Sequence, residues 1–137
     1  MFFKKVLRIF SKKLPEEKVT VQCIVSELPN DNGVFILQFI GIYKRGSQGN
    51  IDADFIRDTI ICKLESHLTR GLITDFKEMT YSWGNAILEP LSYMAGSEIP
   101  CVAIISSKCQ NWPTEYIYTV DNITDAVDFI KPRISHR

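Results

Sequence analysis

The chain has 137 residues, enough for one domain with a sizeable core, and 45% apolar with 23% charged residues is an ordinary globular balance. Sixteen basic and sixteen acidic residues cancel, but residues 1–18 carry six basic against two acidic and residues 131–137 three basic, so the body 19–130 holds seven basic against fourteen acidic, a net of −7. A body of that sign repels nucleic acid and attracts basic partners, or simply keeps the surface solvated; no apolar run is long enough to span a bilayer.

Residues 1–18 are expected to form a basic amphipathic helix or arm, and 19–137 a single α/β domain. In 2–14, Phe3, Val6, Leu7, Phe10 and Leu14 recur at helical spacing with lysines between them. Such a segment lies on a membrane surface, binds a partner, docks on its own domain, or frays. Lys4 and Lys5 break up the apolar start, so no secretory signal core is expected. Residues 19–28 alternate and are β-branched, the pattern of a strand; Pro29 to Gly33 is a turn; 34–43 is a second, nearly all-apolar strand closing a hairpin.

Residues 44–50 read as a polar loop. Asp52 is placed to N-cap a helix over about 53–70, with Phe55, Ile56, Ile60, Leu64 and Leu68 on one face and Gly71 as its stop. A short buried strand follows at 72–76. Residues 84–95 read as a helix despite Pro90, 100–105 as another buried strand, 106–114 as a loop, and 116–120 as a final strand. Asn122, three residues before Asp125, caps a last helix that Pro132 ends. The order β-β-α-β-α-β-β-α predicts an α/β fold with a mixed sheet and helices packed on it.

No catalytic set emerges. Cys23, Cys62 and Cys101 sit in apolar runs as small hydrophobes, no CxxC occurs, and with only His67 and His136 no zinc-type spacing exists. Free thiols point to a reducing, cytoplasmic compartment. His67 falls beside the apolar face of the helix 53–70, where a lone histidine is an ordinary residue, and His136 lies in the basic tail. Asp52, Asp54 and Asp58 cluster at a helix start, where they offset the macrodipole. GSQGN at 46–50 lacks the strand, lysine and helix of a phosphate loop. Neither enzymatic activity nor a metal or other cofactor is expected.

ILQFIG (36–41), the helix 53–70, LITDF (72–76), the corner SWG (82–84), PCVAII (100–105) and the helix 123–130 follow each other in an order that resembles the STAS domain of bacterial anti-sigma-factor antagonists. The resemblance covers roughly residues 34–130. That family's corner reads Asp-Ser-Ser-Gly, and its first serine can be phosphorylated. Tyr81 falls on the Asp, Ser82 on the phosphorylated serine, Trp83 on the second serine and Gly84 on the glycine. The resemblance implies a regulator that binds a kinase or anti-sigma factor, with Ser82 as the switch at a helix N-terminus.

In size, compartment and acidic body the chain is also similar in general type to the immunity proteins of bacterial contact-dependent inhibition systems. That likeness implies a cytosolic inhibitor that neutralises a basic toxin domain. Its contacts would be exposed loop aromatics and acids: Trp83, Trp112, Tyr43, Asp52, Asp54 and Glu115. Trp83 and Trp112 serve equally well as core residues.

Overall fold

The alternation of the hairpin residues decides the layout of the sheet. The computed structural model describes residues 18–30 and 33–134, so the segment 2–14, the arm 1–18 up to Glu17, the centre of the hairpin turn and His136 lie outside the described residues. β1 (Val21–Glu27) pairs antiparallel with β2 (Val34–Ile42), Val21 opposite Gly41 and Glu27 opposite Phe35. β2 runs parallel to β3 (Gly71–Thr80), β3 to β4 (Cys101–Ile104), and β4 to β5 (Thr119–Val120). The result is one five-stranded mixed sheet in the order β1-β2-β3-β4-β5.

Three helices complete an α/β single domain: α1 (Asn50–Leu64), α2 (Leu88–Ala95) and α3 (Ile123–Ile130). Leu37, Phe39, Leu72 and Phe76 point to one sheet face, where they meet Ile56 and Ile60 of α1 and Leu91 and Met94 of α2. Phe39 stacks on Phe76 at 5.2 Å between ring centres, with Phe55 edge-on to Phe39. On the opposite face Ile73, Val102 and Ile104 pack beneath Ala126 and Ile130 of α3. Each such buried side chain contributes about 1.5–3 kcal/mol relative to exposure.

The predicted element order holds, and several boundaries move for physical reasons. β3 runs ten residues rather than five: its second half pairs with the end of β2, although Lys77 and Glu78 give it a polar sequence. The first helix stops at Leu64, not near 70, and Glu65 to Arg70 form a turn in which Thr69 N–H donates to Ser66 O. Gly71 is therefore the first residue of β3 instead of a helix stop; a Cβ there would approach Ile130 to 3.1 Å. His67 lies in that exposed turn, off the helix. Residues 85–87 form a 3-10 turn ahead of α2, and Pro90 is the third residue of α2, where its missing N–H would have no helical acceptor. The last strand shrinks to two residues. Asn122 caps α3 as its spacing predicts, its side chain accepting from Asp125 N–H at 2.8 Å.

Cys23 and Cys101 are buried as expected. Cys62 is exposed on the outer side of α1, and Cys109 takes an interior position instead, its Sγ donating to Phe76 O at 3.3 Å.

Candidate functional site

The corner after β3 is assembled from three segments. Tyr81 continues the strand one residue further, its N–H donating to Lys108 O and its O accepting from Gln110 N–H, both at 2.9 Å. Its phenol folds back and donates to Gly84 O at 3.0 Å, closing the loop 82–84. Gly84 makes this possible: its φ of 149° is a conformation that side chains rarely adopt, and a Cβ there would press on the Tyr43 ring at 3.3 Å.

Ser82 lies at the rim of that loop. Its carbonyl accepts from Asn111 Nδ2 at 2.9 Å, and its Oγ accepts from Arg45 Nε at 3.1 Å. The described partner of the hydroxyl is thus a permanent cation, which cannot act as the base a nucleophilic serine requires. The helical stretch after Ser82 opens as a 3-10 turn, Asn85–Ile87, with Gly84 as its N-cap, and runs straight on into α2, so Ser82 lies ahead of a 3-10 turn and not at an α-helical N-terminus. Arg45 supplies the positive environment instead.

Trp83 is 57% exposed. Its ring leans on Gly46, where a Cβ would come within 2.8 Å of Cη2, and its carbonyl accepts from Gly46 N–H at 3.3 Å. A short 3-10 turn, Gly46–Gly49, thus forms the shelf beneath a solvent-facing indole.

The expectation of exposed loop contacts is corrected for three of the six residues. Tyr43 is buried, held against Tyr81 at 5.1 Å between ring centres and crowded by Gly49, whose Cβ would lie 2.6 Å from the ring. Burial, then the neighbouring Tyr81 and Asp52, push its hydroxyl's pKa upward. Trp112 is also buried, packed on Phe76 at 4.7 Å and edge-on to Tyr81 at 5.2 Å. It is core, the alternative that its sequence context left open.

Asp52 is fully buried in the first turn of α1, where it does not cap the helix. Its carboxylate accepts from Thr20 N–H at 2.9 Å, Lys44 N–H at 3.2 Å and Lys44 Nζ at 3.0 Å. It therefore ties the entry to β1, the exit from β2 and α1 together beneath the corner.

Asp54, Trp83 and Glu115 are exposed. Asp54 belongs to α1 rather than to a loop, and it shares one cation with two other acids: Arg57 reaches Asp58 at 3.0 Å, Glu89 of α2 at 3.0 Å and Asp54 at 3.2 Å. The hydrogen bond to Asp58 is the largest of the influences that raise the Arg57 pKa. Glu115 sits apart in the loop between β4 and β5. The residues that sequence reasoning missed are Arg45 and Gly46; the signal was a cation followed by a glycine in the loop after the second strand, opposite the corner.

No protein-family model matches the chain, and no curated protein matches it in sequence. Among solved structures the fold is similar to that of an anti-sigma factor antagonist from Mycobacterium paratuberculosis. The TM-score is 0.64 at 12% identity, over 82% of this chain and 95% of that one. The likeness supports the STAS-like fold expected from the order of elements. Among the described residues no helix is long and apolar enough to cross a membrane, and no three His, Cys, Asp or Glu side chains gather as a metal site.

Proposed function

We propose that the protein is a non-enzymatic, STAS-type regulatory domain that binds a protein partner, a kinase or anti-sigma factor, through the corner after β3. The observation that carries this reading is Trp83, a large exposed indole fixed on Gly46 beside the Ser82–Arg45 hydrogen bond. An aromatic held in one orientation loses little entropy on contact, and Trp and Arg dominate binding hot spots. The likeness to an anti-sigma factor antagonist supports the same class of role. The toxin-neutralising reading has no comparable support: neither the fold nor its neighbour points to it, and Tyr43, Trp112 and Asp52 are withdrawn into the interior.

Ser82 is the proposed switch. A phosphoryl group there would replace the hydroxyl that accepts from the Arg45 guanidinium by an anion, turning a one-sided charge-assisted hydrogen bond into an ion pair, and add negative charge beside Trp83. The test is titration of the chain against anti-sigma kinases drawn from its own genome. Trp83→Ala should weaken binding at least tenfold, and Ser82→Ala and Ser82→Asp should move affinity in opposite directions. Unchanged affinity in all three variants would remove the corner from the interface.

A further inference from the structure

Charge is divided unevenly over the fold. Lys44, Arg45, Lys77 and Lys108 gather around the corner after β3, four of the seven basic residues of 19–130. With them stand Asp52, Asp75 and Glu78, three of the fourteen acids of that stretch. The corner therefore carries a net +1, while the rest of 19–130 holds three basic against eleven acidic residues, a net of −8. The acidic character of the body belongs to the remaining surface, and the corner has the opposite sign.

Within the corner all three acids are matched. Asp52 meets Lys44, Asp75 meets Lys77 and Glu78 meets Lys108, each at 3.0 Å. Arg45 has no carboxylate partner among the described residues, in contrast to Arg57, which three acids share. Its described hydrogen bond runs from Nε to the Ser82 hydroxyl. With Nε engaged and the side chain exposed, the terminal pair Nη1 and Nη2 is left as a fork that fits a carboxylate.

Trp83 stands beside that fork. Arg45 and Gly46 are consecutive, as are Ser82 and Trp83; Arg45 bonds the serine while Gly46 carries the indole. Two loops thus fix a cation and an exposed aromatic side by side. A segment that satisfies both offers a carboxylate to the fork and an apolar side chain to the indole. A basic segment would meet Arg45 as a like charge and leave the fork without an acceptor.

We propose that the partner segment received at this corner is acidic. An Asp or Glu carboxylate of the partner takes both terminal amino groups of Arg45, and an apolar side chain next to it covers Trp83. The inference rests on the corner being the binding surface and adds the chemistry of what binds there, with Arg45 as the residue that sets specificity.

A random peptide library displayed on phage and selected against the immobilised full chain tests this without a known partner. Selected peptides are synthesised and titrated against the unmodified chain and the Trp83→Ala, Arg45→Gln and Arg45→Lys variants, with thermal melts as the check that these exposed substitutions leave the fold intact. The expected peptides carry Asp or Glu beside a large apolar residue and bind less tightly as salt is added. Arg45→Gln should weaken them about tenfold, and Arg45→Lys should restore only part of the loss, because an ammonium lacks the fork. Peptides weakened by Trp83→Ala that lack an acidic residue, or that ignore Arg45→Gln, would overturn the acidic partner while leaving the corner as the interface. Peptides indifferent to every variant, or no enrichment over a chain carrying both Trp83→Ala and Arg45→Gln, would overturn the corner as well.

Discussion

The indole of Trp83 rests on Gly46, with three of its ring carbons within 3.4 Å of where a Cβ at that position would stand. The glycine also has a φ of +59°, so any side chain there is both strained and in collision. Gly46→Ala should cost about 1–2 kcal/mol in urea denaturation and shift the Trp83 emission, because the ring must leave its shelf. Trp83→Ala, by contrast, should change stability by no more than about 0.5 kcal/mol, since the side chain is mostly in solvent. The pair of measurements separates the shelf's structural cost from the indole's role in binding.

Asp52 predicts the largest single loss. Asp52→Ala would leave the Lys44 ammonium and two backbone N–H groups without their shared acceptor. Removing one partner of a buried ion pair costs about 3–5 kcal/mol, and the partial exposure of Lys44 places this case near the lower end. Lys44→Met should cost less, because Thr20 and the backbone N–H of Lys44 still bond the carboxylate. Denaturant midpoints of the two variants give the comparison.

The thiols predict both reactivity and alkaline behaviour. Burial pushes Cys23 and Cys101 from 9.0 up to about 12 and raises Cys109 as well, while Cys62 is exposed. Ellman's reagent at pH 8 should titrate Cys62 quickly and the other three only on unfolding. Because the folded values of Cys23 and Cys101 lie above the unfolded ones, their contribution to stability is complete below pH 9. It is lost as pH rises through 12: above pH 9 the unfolded chain releases protons that the folded chain retains. Denaturant midpoints should therefore be flat with respect to these groups below pH 9 and fall between pH 9 and 12.

At the start of α3, Asn122→Ala removes the acceptor for Asp125 N–H at the first turn. The expected cost is about 1 kcal/mol, and Asn122→Ser should restore most of it, since a hydroxyl accepts the same bond. Thermal melts of the two variants check this.

Asn122, Gly84 and the apolar runs of β2 and β4 were legible because each does its work locally. A cap, a positive φ and a buried central strand leave their mark within a few residues of sequence. The second half of β3 was not legible, since Glu78, Met79 and Thr80 are held in the strand by pairing with Ile40, Gly41 and Ile42 of β2, a segment more than thirty residues away. The same limit hid Arg45, whose partner Ser82 is 37 positions distant.

The sequence by itself therefore determined the order of strands and helices, the hairpin at the start and the glycine at the corner. Exposure was decided by the tertiary structure. Trp83 and Trp112 are the same residue in similar loop contexts, yet one projects over Gly46 and the other is enclosed by Phe76 and Tyr81. Asp52 and Asp54 are two residues apart on one helix, and at 100° per residue they point about 200° apart. One meets Thr20 and Lys44 inside the fold, the other Arg57 at its surface. Residue type and spacing define the angle between two side chains, but only the packed neighbours define which of them faces the solvent.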